Sequence, residues 1–338
     1  MAWTKRCFAL ITTSMTSWWS PTVLRLSGDE SVAHQLKRTK DGNLLCDFPE
    51  RAIIIGNHQI YTDWIYLWFL AYTNQIHGHI FIILKESLKW VPLLGPGMQF
   101  FSFIFMARSW GRDKPRIAHR LQKLATMRSD PAGGDDNLAP MWLLLFPEGT
   151  NFCQNGKKAS ASWAKKQEIP DLRHCLLPRS TGMLFCLQQL AQSVHWVYDC
   201  TLYYEDVPKY HYPQDYFTLR SSFFAGRPPK SVNMYWRRYY IPDLPIDDPA
   251  TFDHWLTERW REKDELLEYY HEHGRFPPNA SIDGADSGQD YQESEVKLFY
   301  WWQLLEIHYL TLVLAFVAWI AAGSYNLVVY STWRGAAI

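Results

Sequence analysis

The sequence predicts an α/β domain with a mixed central sheet flanked by helices, followed by a transmembrane helix near the C-terminus. Apolar, strand-like runs alternate with helical stretches between residues 46 and 275, the pattern of a layered α/β domain. Residues 309–333 carry no charged side chain, and about 20 apolar residues suffice to cross a bilayer core. The 17 tryptophans and 19 tyrosines suit either a membrane-adjacent protein or a large aromatic core.

The charge balance and the cysteines exclude several classes of function. Lys and Arg together number 34, as do Asp and Glu, so no net field favours nucleic acid and no nucleic-acid partner is expected. The six cysteines are scattered without a CxxC pair, which indicates neither a zinc site nor a disulfide framework. We interpret them as free thiols in a reducing compartment.

Composition divides the chain into four segments. Residues 1–45 form a lead-in whose apolar patch is too short and too interrupted for a signal peptide or a membrane span. Residues 46–275 form the folded domain. Residues 276–296 are rich in Pro, Ser, Gly and Asp and predict a disordered linker. Residues 297–333 form the predicted membrane segment.

The elements of the domain follow from its apolar runs. Strands are predicted at "RAIIIG", "IFIIL", "MWLLL", "CLL", "VYDCTLYY" and "VNMYWRRYY". Residues 90–107 are uncharged and broken by Pro and Gly, so they predict a loop and a buried strand, or a segment dipping into a bilayer. Residues 151–170 are interpreted as a connection, and a charged amphipathic helix is predicted to end at Gly274.

Four polar residues follow strand-like runs and are predicted to converge. His58, Arg108, Glu148 and Arg179 each come shortly after an apolar run. In α/β sheets, ligands bind beyond the carboxyl ends of the strands. These side chains are therefore expected along one edge of the sheet.

His58 and Asp63 are candidates for an acid–base pair. Residues five apart on one helix differ in direction by about 140°, so they meet only if His58 precedes the helix and Asp63 lies in its first turns. A carboxylate so placed fixes the imidazole tautomer, and the other ring nitrogen can then deprotonate a hydroxyl substrate. The alternative is an ordinary polar turn. No G-x-S-x-G elbow occurs and no cysteine lies nearby, which favours direct transfer over a covalent intermediate.

The turn "FPEGT" supplies a second candidate site. Glu148, Gly149 and Thr150 offer a carboxylate, close backbone approach and a hydroxyl, which suit an acceptor with hydroxyls and phosphate. A plain strand-ending turn is the alternative. Arg108 either lies at the membrane edge or binds a phosphate group. Lys85 either binds a polyanionic ligand or has no role in binding.

In combination, "NHQIYTDW", "FIFMAR", "FPEGT" and "LLPRSTG" resemble the four motif blocks of the PlsC-type glycerophospholipid acyltransferases. The strand "VYDCTLYY" and the tail resemble the branch of lysocardiolipin and lysophosphatidylinositol acyltransferases. The resemblance implies the glycerolipid acyltransferase fold, with His58 as general base and Asp63 as its orienting acid. It also implies that Arg108 is the second-block arginine, that Glu148, Gly149 and Thr150 bind the acceptor, and that Pro178 lies on the acyl-donor side.

The implied reaction transfers a fatty acyl group from acyl-CoA, as co-substrate, to a hydroxyl of a lysophospholipid at the endoplasmic reticulum membrane, with no metal or bound cofactor. The implied acceptors are lysophosphatidylinositol, lysophosphatidate and lysocardiolipin. A CoA-independent transacylase of the tafazzin type is the alternative enzyme. A membrane-anchored scaffold on an acyltransferase fold is the alternative from another class.

Two departures from the family pattern stand out. Lysophosphatidate enzymes commonly continue the third block with arginine, whereas Asn151 stands here, and one fewer cation suits a phosphodiester headgroup better than a monoester. The family often has a hydrophobic segment before the first block, which this sequence barely offers.

Overall fold

A computed structural model describes residues 1–92, 94–128, 138–278 and 291–309, together with 312, 313, 316, 319 and 320. The chain divides into two units, Met1–Lys297 and Leu298–Ile338. In the second unit, Trp301–His308 form a short 3-10 helix. The predicted membrane span at 309–333 lies mostly outside the described residues. Within the part of the chain that is described, no helix is both long and apolar enough to cross a bilayer.

The first unit is built around a large sheet. Its strands are β1 (Val23–Gly28), β2 (Leu36–Arg38), β3 (Leu44–Cys46), β4 (Arg51–Gly56), β5 (Ile80–Lys85), β6 (Ile104–Met106), β7 (Met141–Leu145), β8 (Trp196–Tyr204), β9 (Ser231–Tyr240) and β10 (Gln292–Glu295). Its α-helices are α1 (Ala2–Trp19), α2 (Asp63–Thr73), α3 (Leu94–Phe100), α4 (Trp110–Ala125), α5 (Gln154–Gln167), α6 (Ser180–Leu190), α7 (Pro213–Tyr216) and α8 (Pro249–His273).

Eight strands form one mixed sheet in the order β10-β1-β9-β8-β4-β7-β5-β6, while β2 and β3 pair separately. The strands β8, β4, β7, β5 and β6 run parallel to their neighbours within this group. β9 is antiparallel to β8, and β10 is antiparallel to β1. The predicted mixed central sheet with flanking helices is confirmed.

The centre of the sheet is buried on both faces, as its continuous apolar runs require. Every residue of β7 is buried, and so are the last five residues of β4. On one side, β4 and β7 share a core with residues from α4, α6 and α8, among them Ile117, Leu187 and Trp260. The helix α2 is buried along nearly its whole length and packs against α1.

Three local predictions were wrong. Residues 154–167 form the helix α5 and not the predicted connection, and "CLL" at 175–177 lies outside any strand. The broken stretch 90–107 contains the helix α3 before the short strand β6. A Cβ on Gly95 would lie 2.1 Å from the Lys89 carbonyl oxygen, so this glycine permits α3 to fold tightly against the preceding turn.

The sheet includes two strands from outside the predicted folded domain, residues 46–275. β1, from the predicted lead-in, pairs with β9, and β10, from the predicted linker, pairs with β1. Residues 279–290 of that linker lie outside the described residues.

Candidate active site

The parallel strands bring the candidate residues to one edge of the sheet. His58 follows β4 by two residues, and Arg108 follows β6 by two. Glu148 follows β7 by three, and Lys85 is the last residue of β5. Because β4, β5, β6 and β7 are parallel neighbours, their carboxyl ends lie along the same edge, as predicted.

His58 and Asp63 meet in the arrangement that their spacing predicted. β4 ends at Gly56, His58 lies on the following loop, and Asp63 is the first residue of α2. His58 Nδ1 lies 2.8 Å from Asp63 Oδ2. Asp63 is fully buried, whereas the His58 side chain is 20 % exposed. The imidazole therefore rests on a buried carboxylate while part of its ring remains accessible.

Three further donors hold the Asp63 carboxylate. The backbone N–H groups of Gln59 and Ile60 donate to Oδ2 at 2.7 and 3.2 Å. The Tyr204 hydroxyl donates to Oδ1 at 2.5 Å. These three hydrogen bonds fix the position and orientation of the carboxylate beside the imidazole.

The loop that carries His58 is fixed on both sides. The Asn57 side chain accepts from the Leu202 N–H at 2.7 Å and donates to the Leu202 carbonyl at 3.0 Å. The Phe152 N–H donates to the His58 carbonyl at 2.6 Å. The imidazole stacks on Phe146, with ring centroids 4.4 Å apart. These contacts hold the ring beside the turn after β7.

A cavity of about 550 Å³ lies at the same edge of the sheet. Phe146 belongs to its wall, so the cavity begins beside the His58 ring. Much of the wall is apolar, and three cationic side chains also line it. The apolar residues include Ile83, Ile117, Leu145, Leu177 and Met183, and the cations are Lys85, Arg108 and Arg179.

Arg108 is held against the third-block turn. Its guanidinium donates to the Gly149 carbonyl. Arg108 and Gly149 both have positive φ, 63° and 71°, so both sit in a backbone conformation that few side chains adopt. The buried carboxylate of Asp113 accepts the N–H groups of Ala107 and Ser109 at 2.8 and 3.0 Å and thereby fixes the loop around Arg108. Asp113 lies outside the four motif blocks, so the sequence did not predict it as a site residue.

Glu148 is buried in the cavity wall. Its Oε1 accepts a hydrogen bond from the Trp260 indole at 3.2 Å, and Oε2 has no hydrogen-bond partner among the described residues. Burial raises the pKa of Glu148 well above its ordinary value, although hydrogen bonds from Trp260 and the His58 backbone oppose the shift. Glu148 thus links the His58 loop to α8 and presents one unpaired oxygen.

The remaining predicted site residues lie close by. Thr150 lines the cavity. Pro178 is buried and stands between Leu177 and Arg179, which both line it. Asn151 is buried and its amide donates to Gln214 of α7. Across the described ranges, no three His, Cys, Asp or Glu side chains are grouped so that they could hold a metal ion.

Two family models together match most of this chain. The Acyltransferase family model matches residues 25–205, and the model for the acyltransferase C-terminus matches residues 222–302. An uncharacterized acyltransferase of Schizosaccharomyces pombe is 36 % identical over 82 % of this chain and 76 % of its own length.

Two further relatives carry more specific names. The 2-acyl-1-lysophosphatidylinositol acyltransferase of Saccharomyces cerevisiae is 34 % identical over 81 % of this chain and 75 % of its own length. Lysocardiolipin acyltransferase 1 of Danio rerio is 32 % identical over 66 % of this chain and 53 % of its own length. The resemblance that the four motif blocks predicted is confirmed, and the chain belongs to the PlsC-type family of glycerolipid and lysophospholipid acyltransferases.

Proposed function

We propose that this acyltransferase transfers a fatty acyl group from acyl-CoA to a free glycerol hydroxyl of a lysophospholipid, with His58 as general base. The contact between His58 Nδ1 and the buried Asp63 carboxylate carries the proposal. This contact fixes the tautomer and leaves Nε2 to accept a proton.

The reaction proceeds in two proton transfers around one acyl transfer. Nε2 removes the proton of the acceptor hydroxyl as its oxygen attacks the thioester carbonyl carbon. The tetrahedral intermediate then collapses, the carbon–sulfur bond breaks, and the imidazolium returns the proton to the departing thiolate of CoA. Asp63 remains an anion throughout and stabilises the imidazolium.

The cavity suits the two lipid substrates. Its apolar wall can surround an acyl chain, because burial of methylene groups is favourable by about 0.8 kcal/mol each. The cations Lys85, Arg108 and Arg179 at the wall can pair with phosphate groups of CoA or of the acceptor. Glu148, with one unpaired oxygen, and Thr150 can form hydrogen bonds with acceptor hydroxyls.

Several exposed aromatic side chains support a reaction at a bilayer surface. Trp90, Phe224 and Trp18 are 81 %, 78 % and 69 % exposed. Trp18 lies in α1, which contacts the segment containing Phe224. Tryptophan is favoured at lipid headgroups, where a lysophospholipid acceptor would reside. Placement at the endoplasmic reticulum membrane is part of the same proposal and is supported by the family resemblance.

The acceptor class is proposed from the relatives and from Asn151. The yeast relative is named for lysophosphatidylinositol, and the zebrafish relative for lysocardiolipin. Asn151 contacts Gln214, so arginine at this position would disrupt that contact and add a cation near the turn. We expect Asn151→Arg to shift turnover from lysophosphatidylinositol toward lysophosphatidate, measured as the ratio of the two rates. An unchanged ratio would remove this argument.

The proposal is tested with membranes that contain the protein and a panel of lysophospholipids and acyl-CoAs. We expect acyl transfer that requires acyl-CoA, with the highest rate on one lysophospholipid. Transfer that continues when acyl-CoA is omitted would instead identify a transacylase that uses phospholipid as donor. Absence of transfer with every pair, from protein shown to be folded, would favour the scaffold.

A further inference from the structure

We propose that Tyr204 is a positioning residue that sets the basicity of His58 through its hydrogen bond to Asp63. The inference rests on the proposed role of His58 as general base and extends it by one residue. Tyr204 is the last residue of β8, which runs parallel to β4, so it reaches the same edge of the sheet.

The contact is short, buried and directed at one oxygen. The Tyr204 hydroxyl lies 2.5 Å from Asp63 Oδ1, and both residues are almost completely buried. His58 and the Gln59 N–H contact the other oxygen, Oδ2, at 2.8 and 2.7 Å. Among the residues that the structure describes, the other donor to Oδ1 is the Ile60 N–H, at the longer distance of 3.3 Å. Tyr204 therefore provides the principal hydrogen bond to one half of the carboxylate.

Tyr204 acts as a hydrogen-bond donor. Burial, followed by the charge of Asp63, raises the pKa of Tyr204 well above its ordinary value. The phenol therefore keeps its proton over the range in which an imidazole titrates. The ring is held by Tyr66 and Phe217, with centroids 6.1 and 5.8 Å away, so the direction of the hydroxyl is set by packing.

The electrostatic consequence has a definite sign. A donated hydrogen bond spreads part of the negative charge of Asp63 onto Tyr204, which leaves less of it to stabilise a protonated His58. Removal of that donor should favour the imidazolium of His58 over the neutral imidazole. The base would then be protonated at higher pH, and the acidic limb of the pH–rate profile would move upward.

Other titratable groups around the pair come from four elements. They are Glu148 after β7, Tyr66 on α2, Cys200 on β8, and Lys263 on α8, which lies near Glu148. Burial raises the pKa of Glu148, Tyr66 and Cys200, which favours their neutral forms. Lys263 is paired with Asp199 at 2.5 Å.

The test compares pH profiles of kcat/KM for Tyr204→Phe and for Tyr66→Phe. Tyr66 is an equally buried neighbour whose hydroxyl is bonded to Thr22, so it controls for loss of a buried phenol. We expect Tyr204→Phe to raise the acidic midpoint of kcat/KM by roughly one pH unit. Tyr66→Phe should leave the midpoint unchanged. A midpoint that does not move in folded Tyr204→Phe would overturn the inference.

A second variant keeps the side-chain volume. Fluorotyrosine at position 204 is a stronger donor of nearly the same size, so the acidic midpoint should move downward, opposite to Tyr204→Phe. If Tyr204→Phe does not fold, this variant alone decides, and an unmoved or raised midpoint rejects the inference.

His58→Ala separates the two proposals. If His58→Ala stays active, the general-base mechanism fails. If it is inactive while the Tyr204 midpoints do not move, only this inference fails.

Discussion

Asp63 and Asp199 are both fully buried carboxylates on neighbouring parts of the fold, yet their partners differ in kind. Asp63 is held by two backbone N–H groups, a hydroxyl and an imidazole. Asp199 lies 2.5 Å from the ammonium of Lys263 and 2.9 Å from the guanidinium of Arg237. Two cations neutralise the Asp199 carboxylate. The other donors around Asp63 are neutral, so the charge of Asp63 can stabilise a proton on His58.

This difference separates a structural ion pair from a candidate catalytic one. A buried charge without compensation is costly, so Asp199 with Lys263 and Arg237 forms a set whose members depend on one another. The Asp63 charge is instead supported by dipoles, and it can stabilise an imidazolium that forms only during turnover. Burial alone would not distinguish the two sites, whereas the chemistry of the donors does.

The largest expected effect is on activity at Asp63. Asp63→Asn keeps the shape of the side chain but removes the charge that stabilises protonated His58, so we expect kcat to fall by about 10³–10⁴-fold. Thermal unfolding of the same variant, together with initial rates, checks that the protein is folded. A loss of less than tenfold in kcat would show that the carboxylate is not required for proton transfer.

The second effect is on stability at Asp199. Asp199→Asn leaves Lys263 and Arg237 buried without their shared carboxylate, so we expect the free energy of unfolding to fall by about 3–5 kcal/mol. Denaturant titration measures it, with the exposed Asp247→Asn as control, for which we expect a change within about 0.5 kcal/mol. If Asp199→Asn abolished turnover while leaving stability intact, the division between the two carboxylates would be wrong.

The smallest effect concerns the buried amino group of Lys5. This group donates to the Ile80 carbonyl at 2.6 Å and lies 3.4 Å from the Phe81 ring centroid. Burial lowers the pKa of Lys5 to about 7. Between this value and the usual lysine pKa of about 10.4, the unfolded chain binds more protons, so stability should increase as pH rises above about 7.

Lys5→Met should lack this increase. Between pH 7 and 9 we expect the wild type to gain about 2 kcal/mol of unfolding free energy relative to Lys5→Met, measured by denaturant titration at each pH. The exposed Lys40→Met is the matched control and should follow the wild type. Parallel pH curves for wild type and Lys5→Met would show that Lys5 is not held in the neutral form.

Local geometry made the central pair predictable. The spacing of His58 and Asp63 excludes a single helical face, so it requires a loop followed by a helix, and the structure has that arrangement. Ligands bind beyond the carboxyl ends of the strands in such sheets, and this rule predicted that Arg108 and Glu148 lie at that edge, where the structure has them. Applied to β8, the same rule would have indicated Tyr204, which ends the run "VYDCTLYY".

Other parts depend on contacts that the local sequence does not encode. The helix α5 buries the small residues Gly156, Ser160 and Ala164, so its buried face lacks the large apolar side chains from which helical periodicity is usually read. Trp260 reaches Glu148 from 112 positions away, and β10 pairs with β1 across most of the chain. Such long-range pairings are decided by tertiary packing.

The most direct test of the account is the acyl-transfer rate of His58→Ala beside that of His271→Ala, in membranes with acyl-CoA and the preferred lysophospholipid. Both histidines are half-buried, and His271 packs against Tyr203 and His174. Per folded protein, His58→Ala should lose at least about 10³-fold in kcat, whereas His271→Ala should stay within about threefold of the wild type. Acyl transfer at the wild-type rate in His58→Ala would contradict the proposed mechanism.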